Sequence, residues 1–498
     1  MNNLPIFLSF FPFLVFLYLL LFKKTHLLKA SISTLVIYTI LAIFYWQILP
    51  VYLYTSYAKG FFVALDIFFI VFGAIFFLEI LKDLKIIKNI SYYLGGLSKD
   101  YRIQIIIIAW FFECFIEGTA GFGTPAAIAV PILMGLGLPP VRALIVGLLG
   151  NSTPGVFGAA GTPIKIGFAG LNTAGVPLTA ALLNCVGFIV PIFMLWVITQ
   201  GRPNRKKEFL DALPFALFSG LIFVLSSLVF VFLGQEFPSI LGSIASLIIV
   251  VFAVKLGLFV PKEQLSLVEN IESKPTMSPL KAFLPYVILV TLLISGKMIL
   301  GKMGIPLSFG FNHTFNLFNP GFIFIISGFI ILFIWREKEK VFENGIKRAI
   351  SGAIYPFFVV FSMLAMVQIM INTGNNISGL TSAISLITKS FETAMLPFFA
   401  PFVGAFGAFM TGSVTVSNIM FGHLFSMAST NLSMDTTVIL SLGVVGAAAG
   451  NMIALADILT AEAVTGLKNS ELSVLKGVIV PCLIYLSIVG FIGIMILR

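Results

Sequence analysis

The sequence predicts an all-α integral membrane protein of about 12–14 transmembrane helices, built as two inverted repeats with re-entrant or broken-helix elements. Three observations predict it. The 498 residues are 59% hydrophobic and 10% charged, with a mean hydropathy of +1.08, where soluble domains carry roughly 25% charged residues. Apolar runs of about 20 residues, the length that crosses a bilayer, recur along the whole chain. A glycine-rich polar motif occurs at matched places in both halves, where close-packing Gly-Ser/Thr pairs alone would not explain the matched clustering.

The first apolar run, 4–22, has no basic stretch ahead of it and no small-residue cleavage site behind it. It is expected to remain as a membrane helix and not to leave as a signal peptide. Further spans are expected at 30–49, 61–81, 103–117, 125–145, 178–199, 212–234, 239–260, 281–300, 320–335, 350–371, 396–411, 436–456 and 475–497. Lysine and arginine orient them. Segments 23–30, 82–102, 202–207, 261–281 and 336–348 hold 20 of these residues, whereas 49–60, 235–238, 297–320 and 372–395 hold 4. The basic group is expected on the cytoplasmic side of the cell membrane, with the N-terminus outside. The polar run Glu269–Pro275 marks a cytoplasmic linker, 261–281, between an N-terminal half (1–260, repeat core about 61–199) and a C-terminal half (282–498, repeat core about 350–497).

Several classes of function are excluded. The net charge of +10 is dispersed in short clusters between apolar runs, which is a membrane-orientation pattern and not a nucleic-acid groove. Cys114, Cys185 and Cys482 sit singly in apolar segments, and His26, His313 and His423 have no metal-ligand spacing. No nucleotide-binding loop, zinc-hydrolase motif or nucleophile elbow occurs. The expectation is no enzyme, no catalytic residue, no metal and no cofactor, with membrane lipid as the solvent.

The repeat carries the functional reading. Phe115–Thr119 followed by Gly150–Asn151 in the first half matches Phe409–Ser413 followed by Gly450–Asn451 in the second. The charge count runs span 61–81 inward and its counterpart 350–371 outward, so the halves are inverted. Inverted repeats with broken helices are a transporter architecture, with the substrate near the midplane where the repeats meet.

Four clusters could build that site. Glu113 and Glu117, spaced i, i+4, share a helix face, and ionisable groups at membrane depth are functional hypotheses by default. Gly118 to Pro125 would end one helix and start another, exposing N–H groups that suit an anion, with Thr119 and Thr124 adding hydroxyls. Gly150–Gly155 and Gly161–Lys165 mix helix breakers with hydroxyl and amide groups, and Lys165 is expected to snorkel to the interface. In Thr411–Asn418 an extended backbone would point Ser413, Thr415 and Ser417 the same way. Gly446–Asn451 leads to Asp457 and Glu462, which lie about 140° apart around a helix and so do not form a pair. Asp66, Glu79 and Arg142 are expected at solvated span ends. The expected substrate-binding set is Gly118, Thr119, Asn151, Ser152, Thr153, Ser413, Thr415, Ser417, Asn418 and Asn451. The expected proton-coupling groups are Glu117 first, Asp457 second, and Glu113.

Phe115–Ile128, the Gly135–Pro140 stretch, Asn151–Pro163, Thr411–Phe421 and Gly446–Ile453 together resemble the lactate permease family. The resemblance covers most of the chain and is densest at 110–165 and 400–467. It implies symport of lactate, glycolate or a related 2-hydroxymonocarboxylate with protons across a bacterial or archaeal cell membrane. Similarity to ion-transporter folds with paired hairpins implies that Asn151, Ser152, Thr153, Ser417 and Asn418 meet the substrate carboxylate. The chain departs from the family after Asn451, where Ala456-Asp457 replaces a His-Asn pair. That departure leaves a Na+-coupled carrier of another carboxylate or organic anion as the alternative.

Overall fold

Water is absent from the bilayer core, so apolar runs of this length satisfy their backbones only by coiling into helices. The structure, a computed structural model, describes residues 4–23, 25–121, 124–267, 275–308, 312–336, 339–465, 467 and 470–497. Among these, nine helices are long and apolar enough to cross a membrane, or ten if the bent pair Pro140–Gly150 and Thr153–Lys165 is one span. Leu4–Leu20, Pro320–Trp335 and Leu396–Thr411 are shorter apolar helices. Two expectations change. The span 125–145 is interrupted, because Gly135–Pro139 ends one helix at Gly135 and the next begins at Pro140. A small antiparallel hairpin, Gly304–Ser308 with Asn312–Asn316, interrupts the helical fold. The polar run of the expected linker, 269–274, lies outside the described residues.

Two helices of 34 residues each, Pro50–Asp83 and Glu339–Asn372, form the spine of the molecule. At 1.5 Å per residue each is about 51 Å long, well beyond the roughly 30 Å hydrocarbon core. They cross antiparallel. Near one end Asn372 Nδ2 donates to Ser56 Oγ at 2.9 Å, Phe68 meets Phe357 midway, and at the other end Arg348 Nη1 pairs with Asp83 at 3.0 Å.

Element order repeats from these helices onward. Tyr101–Thr119, Thr124–Gly135, Pro140–Gly150 and Val176–Ile198 in the first half correspond to Leu396–Thr411, Val414–Asn431, Thr436–Gly450 and Glu471–Leu497 in the second. Equivalent helices that pack antiparallel are what inverted halves require. The register of the first motif differs from the sequence reading: the left-handed glycine between the helices is Gly121 (φ +58°) in one half and Gly412 (φ +65°) in the other. Gly118 instead lies against the backbone of Ser239 and Ile240.

Glycine sets the closest helix contacts. A Cβ at Gly73 would fall on the Gly321 carbonyl, and one at Gly446 on the Pro401 backbone. Gly73→Val should therefore force apart Pro50–Asp83 and Pro320–Trp335, at about 1–3 kcal/mol. The check is the thermal midpoint of purified protein in detergent. An unchanged midpoint would mean that these helices are not packed backbone to backbone.

A buried ion cluster caps the first half. Arg102, with no accessible surface, binds Asp100 through Nε at 3.0 Å and Nη2 at 2.6 Å. It also donates to the carbonyls of Glu208 at 2.7 Å and Glu263 at 3.0 Å. Tyr101 donates its hydroxyl to Glu208 at 2.9 Å and its backbone N–H to the Leu265 carbonyl at 2.8 Å. Residues 263–265 are thereby tied to the starts of helices Tyr101–Ile106 and Arg205–Phe230.

Candidate functional site

Breaks in both halves converge on one narrow cleft of about 20 Å³. Glu117 and Gly121 approach it from one side, and Gly158, Ala159, Thr162 and Pro163 from another. The second half contributes Gly412, Ser413, Val414, Thr415 and Asn451. Four of the residues expected from sequence line it: Glu117, Ser413, Thr415 and Asn451.

Local backbone explains the shape. In the first half the helix ends at Gly150, a 3-10 turn runs Thr153–Phe157, and Ala159, Ala160 and Gly161 then take φ of 42°, 52° and 80°. Three successive left-handed residues reverse the sense of winding. For each alanine this conformation costs about 1–2 kcal/mol. Strain of this kind gathers at functional sites. The second half breaks at the equivalent place, Gly450–Ile453, but resumes through Ala454 in an extended conformation. Irregular backbone at this depth must be satisfied by protein. The carbonyls of Thr153, Pro154 and Pro163 accept hydrogen bonds from Asn184 at 2.9 Å, Ser239 at 2.8 Å and Asn418 at 2.9 Å.

The extended reading of 413–418 is corrected: Ser413 is the N-cap of helix Val414–Asn431, its Oγ accepting from the Val416 N–H at 3.3 Å. Ser413 and Thr415 therefore reach the cleft from a helix N-terminus, where unsatisfied N–H groups favour an anion. Thr415 donates to Thr162 Oγ1 across the two halves at 3.5 Å. Ser417, two residues on, points away and donates to the Gly404 carbonyl at 2.7 Å. The hydroxyls of Thr119 and Ser152 bond back to carbonyls of their own turns, Phe115 and Ile116 for Thr119 and Leu149 for Ser152. Thr153 is buried beside Gly187. The side chain of Thr124, and Phe122 and Gly123, lie outside the described residues.

The carboxyl groups are the most unusual feature. Glu113, Glu117 and Asp457 are all buried. Both oxygens of Glu113, Oε2 of Glu117 and Oδ2 of Asp457 have no hydrogen-bond partner. Glu117 Oε1 lies where a Cβ of Gly158 would be, Asp457 Oδ1 lies near Gly412, and Glu113 faces Gly147 and Gly150. Asn151, fully buried, also leaves both amide atoms without a partner, as Asn451 does its Oδ1. Glu462, by contrast, accepts from the backbone and hydroxyl of Ser470.

Gly158 and Ala159 lie outside the clusters read from sequence, while Gly121, Thr162, Pro163, Gly412 and Val414 lie inside them but outside the expected binding set. The Gly161-Thr162-Pro163 breaker marked the region of Thr162. Alanine carries no signal for a left-handed turn, so Ala159 had none.

The family model for L-lactate permease matches residues 6–303 and 295–498. A putative L-lactate permease of Haemophilus influenzae is 28% identical over 458 residues, 84% of this chain and 84% of that protein. The L-lactate permease of Bacillus subtilis is 24% identical over 526 residues, covering 92% and 90%. The glycolate permease GlcA of Escherichia coli is 25% identical over 520 residues, covering 93% and 90%. These relatives are permeases and not enzymes, in keeping with a multi-pass helical membrane fold. Matched almost from end to end, the chain belongs to the L-lactate permease family.

Proposed function

We propose that this permease carries lactate, glycolate or a related 2-hydroxymonocarboxylate by symport with protons. The relatives named for lactate and glycolate support the substrate class. The observation that carries the coupling is Glu117, a buried carboxyl in the cleft with one oxygen unpartnered. Moving an unpaired buried charge through a low-dielectric interior costs several kcal/mol. A proton on Glu117 removes that cost and is carried with the anion. The substrate carboxylate sits at the N-terminus of Val414–Asn431, against Ser413 and Thr415, and Asn451 offers its amide to the 2-hydroxyl. Asp457 and Glu113 are the further proton-accepting groups. Asn151, Ser152, Thr153, Ser417, Asn418, Gly118 and Thr119 shape the surrounding breaks.

The test is uptake of labelled L-lactate and glycolate into proteoliposomes under a proton gradient or a Na+ gradient. Accumulation driven by protons alone is expected. Accumulation that requires Na+ at constant pH would replace the coupling ion, and no uptake of either acid by folded protein would overturn the substrate class.

A further inference from the structure

Inverted repeats place equivalent residues at opposite ends of the spine. Pro50–Asp83 and Glu339–Asn372 have the same length, so Lys59 and Arg348 occupy the same position in their helices. Their surroundings differ in charge. Arg348 binds Glu79 at 2.8 Å and Asp83 at 3.0 Å. The positions of Glu79 and Asp83 are taken in the other helix by Gln368 and Asn372, which are neutral. No carboxylate among the described residues pairs with Lys59. Its side chain is half-buried. A Cβ on Gly170, which has φ +88°, would meet only Lys59 Nζ at 3.5 Å and the edge of His423 at 4.0 Å. A notch holding one unpaired ammonium and an imidazole is thus built at one mouth.

The notch and the cleft are linked by one short stretch of chain. Asp66 lies two turns, about 10 Å, deeper on the same helix as Lys59. Lys165 stands near the charges of Glu236, Lys297 and Asp66. Lys165 also stands one turn after Thr162, which lines the cleft. Segment 165–170 therefore runs from Thr162 and Lys165 to Gly170 and Lys59.

We infer that Lys59, with His423 beside it, is a capture site for small carboxylate anions one stage outside the cleft, and that the equivalent cation at the opposite mouth is neutralised. The inference rests on the organic-anion reading above. Anions are then gathered at the Lys59 mouth, while the Arg348 mouth lets them leave.

Two measurements test it. Lys59→Gln should raise the KM for lactate about tenfold, lose the salt dependence of uptake, and keep Vmax within about twofold; Lys59→Arg should restore KM. An unchanged KM and salt dependence in an active Lys59→Gln protein overturns the inference. The second measurement needs no substrate. In protein with Cys114, Cys185 and Cys482 replaced by alanine, His423→Cys is labelled with an anionic sulfonate and a cationic trimethylammonium thiol reagent. The anionic-to-cationic rate ratio should fall about tenfold when Lys59→Gln is added. A constant ratio overturns anion capture even in a protein that transports lactate. A falling ratio in a protein that carries neither lactate nor glycolate upholds anion capture and overturns the substrate assignment alone.

Discussion

Glu117→Gln should abolish proton-driven accumulation of lactate while counterflow exchange of lactate continues. Glutamine keeps the shape of the buried side chain and cannot take up a proton. For one proton per anion, an imposed gradient of one pH unit supports about tenfold accumulation, equivalent to about 1.4 kcal/mol. In the variant the internal concentration should rise only to the external one. The exchange measurement separates loss of coupling from loss of folding, because a protein that exchanges substrate is folded and binds it. Accumulation that survives in Glu117→Gln removes Glu117 as the coupling group. Asp457→Asn is then the next variant to measure, since its carboxyl borders Gly412 at the edge of the same cleft.

Arg102→Ala is expected to cost about 3–5 kcal/mol of stability, the usual penalty for removing one partner of a buried pair. Asp100 would be left buried as an uncompensated charge, and the carbonyls of Glu208 and Glu263 would lose their donor. The thermal midpoint in detergent should fall sharply, and residues 263–265 should become sensitive to protease. The double variant Asp100→Ala, Arg102→Ala should lose less than the two single losses together, because the stranded charge is gone. A loss in Arg102→Ala of less than about 1 kcal/mol would mean that the cluster is solvated and holds nothing in place.

The membrane fold was legible because lipid leaves the backbone few choices, and apolar runs such as 212–234 and 320–335 fall close to the helices that form. The charge count runs Pro50–Asp83 and Glu339–Asn372 in opposite directions, and the two helices pack antiparallel, Ser56 against Asn372 and Asp83 against Arg348. Side-chain direction inside the site was not legible. Thr415 and Ser417 look alike in sequence, yet a helix starting at Val414 sends one into the cleft and the other to Gly404. The register of the repeat slipped for a related reason. Gly118 and Gly121 are both glycines in one motif, and only the left-handed backbone at Gly121 distinguishes the true counterpart of Gly412. Asn418 shows the third limit: its amide supports the irregular backbone at Pro163, a demand created by a left-handed alanine turn that no pattern announces.

The buried polar groups of Tyr101–Thr119 also bear on how the chain is made. That stretch carries Glu113 and Glu117, and an ionised side chain at the centre of a membrane helix costs about 2.5–3.5 kcal/mol during insertion. Such a segment is a poor candidate for release into lipid as it emerges from the ribosome. Part of its packing comes later: Glu208 and Ser219, whose carbonyls receive Arg102 and Trp110, follow by roughly 110 residues. At about 5–20 residues per second they arrive some 5–20 s afterward. Such a span is expected to wait at the translocon, or to be sheltered there, until helix Arg205–Phe230 has been translated.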